Sequence, residues 1–191
     1  MKLVKTSYKN EDAIILLKDV TDNMKEMSTE EREKAIQSGV HYSEMLPEEK
    51  EPTKEYEALY IKALENHAKN VAVDVGKLAE IIYANTIKLN AKKPVLISLA
   101  RAGIPVGVLV KRYLKQFYGL DCKHYAISII RDRGIDINAM EYIYNESILT
   151  DESVVRNFIF IDGWTGKGAI KNQLGEAVAE LKGIDNKWKD L

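Results

Sequence analysis

The sequence predicts an α/β protein: a doubly wound, mostly parallel sheet with a mainly helical N-terminal region. Three short apolar runs, residues 93–99, 124–130 and 157–161, are typical of buried parallel strands. Amphipathic stretches and glycine-containing turns separate these runs. This order predicts right-handed crossovers, with helices covering both faces of the sheet.

The first fifty residues are polar and carry few strong patterns. Residues 13–20 form an apolar run that suits either a strand or a buried helical turn. Ser28 and Glu31 have the spacing of a capping box, so a short helix is predicted after Ser28, ending at Gly39. A stretch rich in prolines and charges follows and predicts a linker. We therefore expect an N-terminal extension over residues 1–52.

The core is predicted to occupy residues 53–191. Apolar residues recur at helical spacing in two separate stretches before the first strand, and two further helices follow the strands. Pro105 suits the first residue of a helix, while Gly119 and Gly183 suit helix ends. The predicted helices of this region cover residues 56–67, 75–85, 105–119 and 168–181.

Composition excludes several classes of partner. The 191 residues include 28 basic and 29 acidic side chains, so no global field draws the chain to nucleic acid or an anionic membrane. Neither a signal peptide nor a membrane-spanning apolar run is recognisable, and Cys122 is the single cysteine. We expect a cytoplasmic protein without membrane partners, for which nucleic acid is an unlikely ligand. The tyrosine-rich helices between residues 56 and 83 leave a homodimer open.

Ligands of open parallel sheets collect where the strands end, and three segments fall there: residues 100–104, 131–136 and 162–168. The last segment is the most informative. Its glycines allow a close backbone approach to an anion, and the N–H groups of the next helix point toward that anion. Asp162 can accept from sugar hydroxyls or a Mg²⁺-bound water, while Thr165 and Lys167 add a donor and a positive charge.

A P-loop does not fit this segment. That motif needs four residues between its first glycine and Gly-Lys, followed by a hydroxyl residue that holds Mg²⁺. Gly163 lies only two residues before Gly166, and Gly168 stands where the hydroxyl is required. Both departures exclude a nucleotide hydrolase or kinase of the P-loop kind.

The other two strand ends are less specific. Arg101 and Gly103 precede a helix and form either a second anion cradle or an ordinary solvated loop. Arg131 and Arg133 can contact an acceptor base or the phosphates of a ligand, or pair with neighbouring acids in a salt-bridged loop. Asp132 and Asp136 are candidates for a general base by location alone.

Four segments together resemble a known family: HYSEMLP, SLARAGIPVG, HYAISIIRDRGID and FIFIDGWTGKGAI. The last resembles the phosphoribosyl-diphosphate signature of type I phosphoribosyltransferases, and the second resembles their pyrophosphate-binding loop. More narrowly, the set is similar to phosphoribosyltransferase-like proteins encoded in bacterial tellurite-resistance and stress gene clusters. The resemblance extends from about residue 41 to residue 181.

The resemblance implies a phosphoribosyltransferase-like core with a hood, and a role for each loop. Asp162 and Arg101 would be the catalytic groups, with Asp162 on the ribose hydroxyls and Mg²⁺ bound through the diphosphate of the ligand. Arg131 and Arg133 would add contacts. The remaining ligand-binding positions would be Gly163, Thr165, Gly166, Lys167, Gly168 and Ala169 for the 5-phosphate, and Ala100, Arg101, Ala102 and Gly103 for the pyrophosphate.

The resulting expectation is transfer of a ribosyl group from phosphoribosyl diphosphate, or a related ribosyl-phosphate ligand, with pyrophosphate release. The alternative is a non-catalytic nucleotide- or phosphoribosyl-binding module in a stress-response system. This alternative gains weight because Gly163 stands where the signature has a second acidic residue. Relatives continue into a further C-terminal region, so a fragment of a longer protein is also considered.

Some relatives are labelled cysteine proteases, and Cys122 and His124 are the pair considered for that label here. Two positions apart on a strand, they share a face, but their backbones would be about 6.6 to 6.8 Å apart. The sequence identifies no third residue that would orient the histidine. A structural cysteine is therefore expected, and the protease label is set aside for this chain.

Overall fold

The fold is that of a computed structural model, which describes residues 4, 6–149, 154–164 and 166–191. The chain divides into two compact units. One comprises residues 1–17 and 72–191, and the other comprises residues 18–71.

The strands and helices are distributed over both units. In chain order they are β1 (Ile14–Ile15), β2 (Glu26–Met27), α1 (Thr29–Gln37), β3 (Leu46–Pro47), α2 (Lys54–Lys88), β4 (Val95–Leu99), α3 (Gly103–Tyr118), β5 (Lys123–Ile127), β6 (Ile129–Ile130), β7 (Gly134–Ile135), α4 (Ile137–Ile148), β8 (Phe158–Ile161) and α5 (Ala169–Ile184).

The larger unit contains a four-stranded parallel sheet in the order β1-β5-β4-β8. At its centre Ile97 pairs with Tyr125 of β5 and with Phe160 of β8. Every residue of β4 is buried, because helices cover both faces of the sheet. The predicted α/β class with a parallel sheet is confirmed.

The two faces have different helical partners. On one face, α3 and the end of α2 pack on the sheet through a cluster that includes Ala79, Val110 and Leu114. On the other face, α4 and α5 pack through a cluster that includes Met140 and Leu181. Burial of these apolar side chains contributes about 25 cal/mol per Å² of surface removed from water.

The smaller unit contains α1 and the short parallel pair β2–β3. The predicted capping box is confirmed: Ser28 N–H donates to Glu31 Oε2 at 2.8 Å, and Glu31 N–H donates to Ser28 Oγ at 3.3 Å. Gly39 adopts a φ of 93° just after the helix, a conformation that favours glycine.

Several predicted boundaries were wrong. The two helices predicted before the sheet are one continuous helix, α2, because no residue between them breaks the helical pattern. Helix α3 begins at Gly103 rather than Pro105, since a proline in the first turn loses no intrahelical hydrogen bond. Helix α5 continues through Gly183 to Ile184, where Asp185 forms the C-cap.

Two features of the larger unit were not predicted. The segment after β5 forms an antiparallel hairpin, β6–β7, and the helix α4 follows it directly.

Among the helices of the described residues, none is both long enough and apolar enough to cross a membrane.

Candidate functional site

Two of the predicted loops meet at the carboxyl edge of the sheet. A Cβ atom at Gly103 would lie 2.3 Å from the carbonyl oxygen of Ile161, and one at Gly163 would lie 2.1 Å from that of Ala102. Because real Cβ atoms do not approach so closely, both positions require glycine for the loops to pack. The first of these loops also contains Ala100 and the exposed Arg101, which precede Gly103.

Asp162 lies at the end of β8 in this loop pair. Its Oδ1 accepts a hydrogen bond from the Trp164 N–H at 3.1 Å. Its Oδ2 is buried and has no hydrogen-bond partner among the described residues. Lys167 is exposed, and Gly168, with a φ of 81°, precedes the first residue of α5, Ala169. Gly166 also has a positive φ, of 34°, whereas Thr165 lies outside the described residues.

The third predicted loop, residues 131–136, forms the turn of the β6–β7 hairpin and the residues around it. Arg131 and Arg133 are exposed there. The Asp132 N–H donates to Gln173 Oε1 of α5 at 2.7 Å, which ties this turn to the helix after the Asp162 loop. Asp136 is the N-cap of α4 and accepts from the Ala139 N–H at 3.1 Å, so it has a structural role rather than that of a free base.

The donor set at this edge does not fit a metal ion held by the protein. Within the described residues, no group of three or more His, Cys, Asp or Glu side chains is arranged to bind one. Asp162 offers one carboxylate and no second acidic neighbour in the chain, since Gly163 follows it. One carboxylate alone does not hold Mg²⁺, which would take its other ligands from water or from a bound phosphate.

A second candidate site lies at the amino edge of the same sheet, where β5 begins. A cavity of about 260 Å³ is lined by residues from α3, from the start of β5 and from the segment before β1. Its lining residues are Asn10, Glu11, Ile14, Lys111, Lys115, Asp121, Cys122, Lys123 and His124. The only thiol of the chain and a histidine therefore share one cavity.

The thiol of Cys122 is shielded in this cavity. The residue is 2% exposed, and burial raises its pKa to about 11, although Lys111 opposes the shift. At neutral pH only about one thiol in ten thousand would be ionised. Since the thiolate is the nucleophile, Cys122 is unreactive in this arrangement.

His124 is fully engaged by other groups. Its Nδ1 lies 2.7 Å from the carbonyl oxygen of Asp12, and its Nε2 lies 2.7 Å from Ser98 Oγ. A carbonyl only accepts, so Nδ1 donates. Burial lowers the pKa of His124 and so favours the neutral ring, in which Nε2 accepts from the Ser98 hydroxyl. The Gly103 carbonyl oxygen, 2.9 Å from Ser98 Oγ, competes for the single proton of that hydroxyl. Neither nitrogen is available to Cys122.

Two basic residues of α3 bind the segment before β1, which contacts His124. The Arg112 guanidinium forms two hydrogen bonds to Asp12, Nε to Oδ1 at 2.9 Å and Nη2 to Oδ2 at 2.6 Å. Those hydrogen bonds lower the pKa of Asp12. The neighbouring Lys111 Nζ donates to the Glu11 carbonyl oxygen. Together with His124, these contacts form a clamp on residues 11–12.

Sequence reasoning considered Cys122 and His124 but did not find their surroundings. The only local signal is the pair itself, with the basic residues of α3 at 111, 112 and 115. The partners from the N-terminal segment are about a hundred residues away in the chain, as in the pair Asp12–Arg112. No pattern of spacing predicts such a pairing.

Comparison with known proteins identifies similarity over nearly the whole chain. The family described as tellurite-like stress resistance cysteine protease StiP matches residues 6–191. The chain is also 39% identical over 174 residues to a protein of Acinetobacter baylyi named cysteine protease StiP. That alignment covers 88% of this chain and 41% of the relative, so the chain spans less than half of the relative's length. No solved structure matches.

These matches overturn the functional expectation from the sequence. Both name a cysteine protease, which is a hydrolase, whereas ribosyl transfer with pyrophosphate release was expected. The alternative of a non-catalytic nucleotide- or phosphoribosyl-binding module is not supported either. Only the link to tellurite and stress resistance is confirmed. With no matching solved structure, the phosphoribosyltransferase type of fold also remains without support.

The protease label was set aside for this chain, yet the family that matches it carries that label. The exclusion rested on the separation of Cys122 and His124 and on the missing third residue. Cys122 was expected to be a structural cysteine. Its exposure of only 2% is consistent with that expectation. A cysteine protease needs a reactive thiolate, whereas the Cys122 thiol of this chain is buried and protonated.

Proposed function

Because this chain belongs to the StiP family of tellurite-like stress resistance cysteine proteases, we propose that it hydrolyses peptide bonds during stress, with Cys122 as its nucleophile. One observation supports the assignment of the residue: the single thiol of the chain lines a cavity together with His124. A cysteine protease needs a thiolate, and no other residue here can provide one.

The shielded thiol implies that the enzyme is latent in the conformation described. Catalysis needs a thiolate and a histidine free to take up and return its proton. The clamp on residues 11–12 opposes both requirements, because it occupies His124 and closes one wall of the cavity. Displacing this segment would free Nδ1 of His124 and admit water and substrate to Cys122. Hydration would then lower the pKa of the thiol.

Released in this way, the residues have distinct roles. The Cys122 thiolate would attack the peptide carbonyl carbon, and His124 would protonate the departing amine. Water would then hydrolyse the thioester and restore the thiol. Lys111, whose charge already favours the Cys122 thiolate, would continue to stabilise it.

The first prediction tests whether Cys122 is the nucleophile and whether the clamp restrains it. The change is Arg112→Gln, which removes both hydrogen bonds to Asp12 and should uncover the thiol. We expect alkylation of Cys122 by iodoacetamide to become at least about tenfold faster, and cleavage of a denatured protein substrate to increase. In the double variant Arg112→Gln/Cys122→Ser, cleavage should be lost. Mass spectrometry and gel assays measure the two rates.

A matched control is Arg156→Gln, which removes an arginine from a surface ion pair with Asp190 elsewhere in the chain. It should leave both rates at the wild-type value. Cleavage that persists in the double variant would contradict a role for Cys122. Rapid alkylation in Arg112→Gln without cleavage of any substrate would show that an exposed thiol is not sufficient, and the proposed activity of this chain would be rejected.

A further inference from the structure

The first half of α2 presents an uncovered apolar face. Residues 51–74 are all exposed, although the helix here is rich in apolar side chains. Seven residues recur at helical spacing and share one face: Tyr56, Leu59, Tyr60, Ala63, Leu64, His67 and Val71. We call this face the tyrosine stripe. It is free of Lys, Arg, Asp and Glu.

The stripe is nearly symmetric about the midpoint between residues 63 and 64. Tyr56 and Val71 are equally far from this point, and so are Tyr60 and His67. A two-fold interface brings the same surface of two copies together, so it needs a surface that is complementary to itself. Two antiparallel copies would place Tyr56 opposite the second copy's Val71, a large side chain against a smaller one.

Charge favours the antiparallel orientation over the parallel one. Residues 48–57 include five glutamates and two lysines, whereas residues 70–79 include one aspartate and one lysine. In a parallel pair the acidic segments would lie side by side and repel. In an antiparallel pair each acidic segment lies beside residues 70–79 of the other copy, which carry no net charge, so this repulsion is avoided.

The area suffices for a weak dimer. Tyr56 is 66% and Tyr60 is 61% exposed, so each can bury about 120 to 130 Å² more, since a buried tyrosine covers about 200 Å². With the aliphatic side chains and the stripe's edges, two copies would bury about 1,000 Å², the lower limit for a specific interface. We expect an affinity in the micromolar range, because so small an interface has little area beyond what offsets the entropy lost on association.

We propose that the tyrosine stripe binds a second copy of this chain, with the two helices antiparallel. The inference is independent of the protease proposal, since none of its residues lines the Cys122 cavity. It assigns the exposed half of α2 to an isologous dimer interface.

The second prediction tests this dimer by sedimentation velocity over a concentration series reaching about 200 µM, where a micromolar dimer is populated. Leu64→Glu places a charge inside the stripe and should raise the dimer dissociation constant at least about tenfold. The control Ala58→Glu adds the same charge on the opposite, exposed face of the helix. It should change the constant less than about twofold.

Cross-linking through an introduced cysteine tests the orientation. In the antiparallel pair Ala63 lies near the two-fold axis, so Ala63→Cys should form a disulfide between copies. Tyr56→Cys should not, because the two copies of residue 56 would be about 22 Å apart along the helix. The native Cys122 is buried and contributes little background.

Three outcomes would overturn the proposal. A wild-type chain that stays monomeric throughout the series would mean that something other than a second copy covers the stripe. Equal weakening by Ala58→Glu and Leu64→Glu would place the interface elsewhere. Tyr56→Cys cross-linking as fast as Ala63→Cys would indicate a parallel pair.

Discussion

At the scale of single residues, His124 links folding to pH. Its burial lowers the pKa of the folded state, while the unfolded chain has a histidine pKa of about 6.5. Below pH 6.5 the unfolded chain therefore binds a proton that the folded state still excludes. The stability that neutral His124 provides is fully present above this pH and is lost as the pH falls toward the folded pKa.

The third prediction follows from this linkage. The free energy of unfolding of the wild type should decrease by up to about 1.4 kcal/mol per pH unit as the pH falls below 6.5. In His124→Gln this part of the slope should be absent, whatever the overall stability of the variant. Urea titrations at several pH values between about 7.5 and 5 measure both slopes.

The contributions of His124 and Asp12 to stability are lost in different pH ranges. The pKa of Asp12 is lowered by its hydrogen bonds to Arg112, so its contribution to stability is lost only as the pH falls below about 4. Equal slopes for the wild type and His124→Gln between pH 6.5 and 5 would contradict a buried neutral His124.

The structural roles of residues that interact with near neighbours in the chain were predictable from the sequence. Ser28 and Glu31 cap α1 as their spacing predicts, and Gly119 ends α3 with a φ of 65°. Residues that act through distant partners were not. The clamp joins Asp12 to His124 and Arg112 across at least one hundred positions, and only the folded sheet brings them together.

At the scale of elements, the packing of the two loops at the carboxyl edge depends on two glycines. In the fourth prediction, Gly103→Ala or Gly163→Ala forces a Cβ to within 2.3 Å or 2.1 Å of a backbone carbonyl oxygen. Backbone cannot move away as cheaply as a side chain can, so we expect a loss of about 3 kcal/mol in the free energy of unfolding. Urea denaturation measures it.

Gly175→Ala provides the matched control within α5. A Cβ there would meet nothing within 4 Å, and alanine is the better helix former. This change should stabilise the protein by up to about 1 kcal/mol. A similar loss of stability in all three variants would show that the close approach to a carbonyl oxygen is not the cause.

The central strands were predictable because β4, β5 and β8 are short apolar runs that only a covered sheet can bury. Helix α4 was missed although its signal is present. Asp136 stands at the N-cap position, and buried Ala139, Met140 and Ile143 follow at helical spacing. The prediction instead assigned Asp136 to a ligand-binding loop, and the helix after it was overlooked.

At the scale of the whole molecule, the sequence motifs indicated a site at one edge of the sheet, whereas the proposed nucleophile Cys122 lies at the other edge. Glycine-rich turns after β4 and β8 are conspicuous in a sequence because they reflect local backbone geometry. A cavity at the start of β5 has no such signature, since three distant segments form it. The candidate site was therefore predictable only as far as the pair Cys122 and His124.

The fifth prediction concerns α2, whose two halves differ although the helix is continuous. Residues 51–74 are exposed, whereas Ala79 and Ile82 pack in a core cluster on the sheet. Helices gain most of their stability from tertiary packing, so the first half should open far more often than the second. We expect amide hydrogens of residues 56–71 to exchange at least about a hundredfold faster than those of residues 78–86 in dilute protein.

Hydrogen exchange with mass spectrometry at two protein concentrations measures this difference and connects it to the dimer. At low concentration the stripe is uncovered and its amides exchange quickly. At high concentration the second copy should slow the exchange of residues 56–71 and leave residues 78–86 unchanged, because only the first half lies in the proposed interface. Equal protection of both halves at every concentration would show that the exposed half is stabilised by contacts other than self-association.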